Sequence, residues 1–126
     1  ATGWKHTVMI GTEAGAYATT PNTSLATDTA GVFIGYRAGY NADSTANTIY
    51  IGTNAGNNAY GSYRSIFVGS NAGRNSRNFD SIGIGFHALR GDDSVSTNGH
   101  NNIEIVAGLL DNQRLFYNVS RSYFNW

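Results

Sequence analysis

Gly83-Ile84-Gly85-Phe86-His87-Ala88 has the spacing of a dinucleotide-binding loop, G-x-G-x-x-[GA]. Such a loop works only where a strand hands over to a helix whose N-terminus holds the pyrophosphate. No helical pattern follows and no ribose-binding acid is visible, so these glycines serve another purpose. The three histidines, His6, His87 and His100, have neither H-x-H nor i,i+4 spacing and write no local metal site. Asp92-Asp93 after Gly91 is an acidic pair of the kind found in solvated turns, without the further oxygen ligands that calcium requires. Glu13, Asp28, Asp43, Asp80 and Glu104 share no register that would set two carboxylates across a groove for glycoside hydrolysis. Serines are spread along the whole chain, so no Ser-His-Asp set stands out. Exposed tyrosines such as Tyr17, Tyr36, Tyr40, Tyr60 and Tyr63 could stack on sugars, but tyrosine is also an ordinary strand residue. Asn22-Thr23-Ser24 and Asn118-Val119-Ser120 are glycosylation sequons by pattern only. The expectation is a protein with no catalytic residues, no cofactor and no metal.

The composition agrees. In 126 residues there are 16 glycines, 1 proline and no cysteine, and only 13% of residues are charged. Asn, Ser and Thr take the room that Lys and Glu fill in helical domains, while 13% aromatics give the chain material to bury. All-β is the expected class. Eight basic and eight acidic residues cancel, and the arginines are scattered from Arg37 to Arg121. No basic stripe is available for phosphates, so nucleic acid is not an expected partner. No apolar run approaches the ~18 residues of a membrane span, so no membrane insertion is expected. Zero cysteines exclude disulfide scaffolds and thiolate metal sites. Ala1 is the kind of residue left when an initiator Met is removed, which reads the chain as a complete short protein.

What positions these residues is a repeat. Val8-Met9-Ile10-Gly11-Thr12-Glu13-Ala14-Gly15 recurs as Val32-Phe33-Ile34-Gly35-Tyr36-Arg37-Ala38-Gly39, and again from Ile49, from Ile66 and, less faithfully, from Ile82 and Ile103. The first glycines, Gly11, Gly35, Gly52, Gly69 and Gly85, lie 24, 17, 17 and 16 residues apart. Each unit reads as a short strand, a glycine corner, a small residue inside the coil and a polar return. Stacked coils would pair equivalent strands in parallel. The predicted architecture is a parallel β-solenoid (β-helix or β-roll) of about five to six coils over residues 8–108. Residues 1–7 form an N-terminal cap or arm, and 109–126 an irregular C-terminal capping or docking arm. The insertions Tyr17–Asp28 and Arg90–Asn101 should project as loops.

Strand side chains alternate, so each unit has two faces. The β-branched flanks are expected to point inward, giving a core of Ile10, Ile34, Ile49, Ile51, Ile66, Val68, Ile82 and Ile84, with Ala38, Ala55, Ala72 and Ala88 filling the narrow coil. The middle positions, Met9, Phe33, Tyr50 and Phe67, would then form an exposed apolar ladder, which soluble proteins avoid unless it is used. Packing that ladder around a threefold axis predicts a homotrimer. Trp4 is expected to cap one end. The Leu115, Phe116, Tyr117, Tyr123, Phe124 and Trp126 segment leaves the repeat and reads as the docking arm at the other.

Asn47-Thr48-Ile49-Tyr50-Ile51-Gly52-Thr53-Asn54-Ala55-Gly56 resembles repeats of bacteriophage fibre, spike and virion surface proteins. Asn101-Asn102-Ile103-Glu104-Ile105-Val106 is similar to the segment that ends such arrays. The resemblance covers residues 8 to about 108 and implies a trimeric β-helical structural protein on a virion surface. Its expected partners are itself and phage capsid or tail proteins. A chain this short fits a capsid decoration (cement) protein that stabilises the shell. The alternative is a trimeric tail fibre, spike or adhesin-type domain that binds host-surface glycans. More distantly the repeats are similar to the heads of trimeric autotransporter adhesins, whose variable position is usually small rather than aromatic. A third reading, an ice-binding solenoid, needs a regular threonine rank, and Thr12, Tyr36, Thr53, Ser70 and Phe86 do not supply one.

Overall fold

A computed structural model describes residues 3–20, 29–91, 99–106 and 115–118 of the chain. Nine strands are present among them: β1 (Thr7–Ile10), β2 (Gly31–Ile34), β3 (Thr48–Ile51), β4 (Ile66–Val68), β5 (Asn78–Phe79), β6 (Ile82–Ile84), β7 (Gly99–His100), β8 (Asn102–Ile105) and β9 (Leu115–Asn118). The large sheet runs β1-β2-β3-β4-β6-β8-β9. Every pairing from β1 to β8 is parallel, and β9 closes the sheet antiparallel to β8. Equivalent residues of the repeat face one another: Val8 pairs with Val32, Val32 with Ile49, Ile49 with Ile66, Ile66 with Ile82, and Ile82 with Ile103. A second, two-stranded parallel sheet, β5 with β7, and parallel bridges Asp43–Tyr60 and Ala46–Tyr63 join the opposite side of successive coils. The fold is an all-β parallel solenoid of about four turns, without helices among the described residues.

The return from each strand is a run of overlapping turns. In the third coil Ala55 N–H donates to Gly52 O, Asn57 N–H to Asn54 O and Ala59 N–H to Gly56 O, at 3.1–3.2 Å. The third residue of each turn is left-handed: Asn54 at φ 56°, Gly56 at 63°, Asn58 at 54°. A turn with positive φ at its third position favours Gly or Asn there, which accounts for much of this composition. The left-handed residues send their own amides across to neighbouring coils, Asn54 N–H to Tyr36 O and Asn58 N–H to Tyr40 O at 2.9 Å, and Gly56 N–H to Ala72 O at 2.8 Å. Donors thus alternate between closing the turn and binding the coil before or after, so the corner's backbone is satisfied without a helix.

The interior reverses the expected sidedness. Phe33, Tyr50 and Phe67 are 0% exposed within one chain, so they are solenoid core and cannot be a trimer interface. Their rings stack along the solenoid at centroid separations of 5.3 Å, with Trp4 edge-on to Phe33 at 5.0 Å. Met9 occupies the same position in the first coil, its thioether lying against Gly15. Ala38, Ala55, Ala72 and Ala88 are buried opposite, as expected. Ile10, Ile34, Ile49, Ile51, Ile66, Val68, Ile82 and Ile84 point outward instead and line the outer face as half-buried or exposed residues. The physical reason is the width of the coil. The wall opposite the strand comes close and carries only alanine and glycine, so each rung has one interior slot, and a single flat ring fills it. The glycine after each alanine makes the room: a Cβ on Gly56 would lie 2.4 Å from Tyr50 Cδ2, and one on Gly73 2.0 Å from Phe67 Cδ2.

The fifth and sixth strands of the parallel stack, β6 and β8, vary this arrangement. Gly83 stands where the ring belongs, and Leu89 stands where the glycine belongs; Leu89 is buried and takes the left-handed φ of 49° that position requires. In β8 the interior position is Glu104, almost fully buried, whose Oε2 accepts Leu89 N–H at 2.6 Å.

Candidate assembly surface

The outer face of the large sheet is built from the two β-branched positions of every rung. Five spacings of about 4.8 Å separate β1 from β8, so the ladder is about 24 Å long. Exposure is greatest at its ends, 57% at Ile10 and 46% at Ile105, and the central rungs are half-buried by one another. Beyond the glycine corner the strip continues onto the exposed rings of Tyr36 and Phe86, the latter stacked on His87. A continuous apolar strip of this length is uncommon on the surface of a folded chain.

Its flank is polar. Arg37 pairs with Glu13 of the preceding coil and lies over the rings of Tyr36 and Tyr40, 5.1 and 5.0 Å from their centroids. The hydrogen bond to Glu13 holds the Arg37 guanidinium above its ordinary pKa. On the other side of the coil Arg64 grips Asp80 with two nitrogens, one at 2.9 Å, and is likewise raised. Both pairs link successive rungs at the surface, where solvent screens them. Asn41 and Asn58 add an amide ladder, 2.9 Å from Nδ2 to Oδ1.

Of the five acids weighed for glycoside hydrolysis, Asp28 lies outside the described residues and the other four are each engaged separately. Glu13 is held by Arg37, Asp43 by Thr19, Asp80 by Arg64, and Glu104 accepts the Leu89 amide. Among the described residues no group of three His, Cys, Asp or Glu is placed to hold a metal ion. Gly83–Ala88 runs from a strand into the overlapping turns, not into a helix, so the dinucleotide spacing carries no phosphate cradle. Asp92 and Asp93 lie outside the described residues. No helix among the described residues is long and apolar enough to cross a membrane.

One buried polar cluster lies in the core. The Tyr50 hydroxyl lies near Thr48, Ser62 and Thr45 without a well-aligned hydrogen bond among the described residues. Burial pushes its pKa far above the usual phenol range, and the neighbouring hydroxyls oppose that shift only partly.

Trp4 does sit at the N-terminal end of the ring stack, against Phe33 and Gly31. Of the expected C-terminal arm, Leu115, Phe116 and Tyr117 lie in β9, with their backbone paired to Ile105, Glu104 and Ile103 of β8. Tyr123, Phe124 and Trp126 lie outside the described residues. The structure gives Leu89 and Glu104 interior roles that the sequence reading did not assign them. Both stand at repeat positions where their type is out of pattern, and that departure was the available signal. Comparison with protein-family models, with curated proteins and with solved structures found no match.

Proposed function

We propose that the chain is a non-enzymatic structural protein that assembles with copies of itself through the outer Ile/Val ladder, as a homotrimer on a phage virion surface. The observation that supports this is an apolar ladder left outside a coil whose core is already filled by its own aromatic stack. Three such strips packed about one axis along the solenoid would each be covered on one side, and the flat rungs of a parallel sheet repeat the same contact along the length. The interface residues are then Ile10, Ile34, Ile51, Val68, Ile84 and Ile105 with their same-face partners two residues earlier in each strand, in place of the aromatic ladder.

The virion assignment rests on the Asn47–Gly56 repeat form and its likeness to phage surface proteins. Within it, capsid decoration is the favoured role, with the residues that leave the repeat gripping the shell. Exposed Tyr17 and Tyr60, which lie off the apolar strip, favour a second reading, a fibre- or adhesin-type domain that stacks them on host-surface glycans. Light scattering on the purified chain tests the assembly: three times the chain mass, stable to dilution, supports it, and a monomer at all concentrations overturns it. Binding to undecorated phage shells, against binding to host cells, then separates the two roles.

A further inference from the structure

The two ends of the coil stack are chemically different. Gly39, Gly56 and Gly73 each donate their amide to the alanine carbonyl of the following coil, Ala55, Ala72 and Ala88, at 2.8 Å. Leu89 occupies the next position, and its amide is taken by a side chain, Glu104 Oε2. A carboxylate thus stands where the earlier coils use the alanine carbonyl of the coil that follows. The antiparallel strand β9 covers the edge of β8 on the C-terminal side.

The N-terminal side has the opposite character. Gly35, Arg37 and Asn41 donate to Ile10 O, Thr12 O and Ala16 O of the coil before them, at 2.8, 3.0 and 2.8 Å. Their equivalents in the first coil are Gly11, Glu13 and Tyr17, with φ values of 123°, 57° and 59° against 125°, 55° and 51°. The first coil is therefore already bent to donate backward in the same way. Ala14 O and Ala18 O likewise correspond to Ala38 O and Ala42 O, which accept from Gly15 and Thr19 of the coil before. Among the described residues β1 is the edge strand of the sheet. Among the residues whose burial is described, Val8, Met9 and Ile10 form the one strand exposed at three consecutive positions, including the interior position that is fully buried in the next three coils.

We propose that this edge, from Met9 to Ala18, is a docking surface for one further coil of the same repeat type, presented by a partner solenoid in parallel register. Three donors, two acceptors and an interior thioether repeat the pattern that every inner coil offers its predecessor, which specifies the partner's backbone as well as its core residue. Among the described residues the C-terminal edge of the sheet is the antiparallel strand β9, which does not meet that specification, so a head-to-tail copy is not the partner.

A tethered coil at high effective concentration is the probe. A copy of residues 44–60 is joined directly ahead of Gly3, so that its repeat runs in phase into β1. Hydrogen exchange is then read at single amides. The expected result is that Gly11, Glu13 and Tyr17 slow by about two orders of magnitude, to the level of Gly35, Arg37 and Asn41, with a rise in Tm. The same copy joined after Trp126 should change neither. The proposal is overturned if the three amides exchange unchanged in the N-terminal fusion, or if they are already as slow as Gly35, Arg37 and Asn41 in the chain alone. It does not depend on the outer-face assembly, because these amides report on the sheet edge and not on the mass.

Discussion

Gly83 and Leu89 exchange the sizes of Phe67 and Gly73, and this exchange can be tested with a double-mutant cycle. Leu89→Gly removes a buried side chain, a change that costs about 2–5 kcal/mol for a comparable truncation to alanine. Glycine relieves the left-handed backbone at φ 49°, worth roughly 1–2 kcal/mol, so the net loss should be about 2–3 kcal/mol. Gly83→Phe pushes a ring into occupied space, since even a Cβ there would lie 3.3 Å from Leu89 Cβ, Ala88 O and Phe67 Cδ1; such overpacking costs about 1–3 kcal/mol. Added independently, the two changes would cost about 3–6 kcal/mol. Together they rebuild the ring-over-glycine pair of the preceding coil and extend the stack beyond Phe67. The double variant should therefore lose no more than about 1–2 kcal/mol, a coupling of about 3 kcal/mol at the upper end for residues in contact. Denaturant unfolding of the four proteins measures it. Additive losses would refute the assignment of the middle strand position to the interior.

Gly56→Ala should be strongly destabilising, by about 2–5 kcal/mol, because it meets the Tyr50 ring and forces alanine to φ 63°; Asn54→Gly, two residues earlier at φ 56°, should change stability by less than about 1 kcal/mol in the same assay. Glu104→Ala strands the Leu89 amide and should cost about 2–3 kcal/mol, while Glu104→Gln keeps an acceptor and should recover most of it. Tyr50→Phe should be nearly neutral at pH 7, because the hydroxyl makes no aligned hydrogen bond. The folded-state pKa of Tyr50 is raised, so its contribution is intact below the unfolded value of about 10 and is lost as pH rises above it. Unfolding curves at rising alkaline pH should therefore fall less steeply for Tyr50→Phe than for the unaltered chain.

The repeat, its parallel stacking and the buried alanines were legible in the sequence, because a glycine at fixed intervals after alternating residues admits few other structures. Which face of the strand lies inside was not fixed by alternation, which defines two faces and names neither. Taking the Ile/Val pair as the core followed the usual preference of branched residues for burial. It overlooked how little room a coil of overlapping turns leaves. The deciding clue was present in Leu89. A large residue in the glycine position, only where the ring is missing at Gly83, means that these two positions touch, and hence that the ring points inward. Glu104 carried a similar clue, since its carboxylate replaces a carbonyl that only a further coil could supply. Neither clue is visible in a single repeat unit; both need the stacked register. The Ile/Val ladder emerged as the outer face only once the aromatic rings had been placed.

Neighbouring residues of one strand give the most direct test of this sidedness. Tyr50→Asp and Ile51→Asp place the same charge on opposite faces of β3, and each is measured by circular dichroism and light scattering on one sample. The account predicts that Tyr50→Asp fails to fold, while Ile51→Asp keeps a cooperative β-sheet signal and falls to the mass of a single chain. A folded, dissociated Tyr50→Asp beside an unfolded Ile51→Asp would contradict it, and would return the aromatic ladder to the interface.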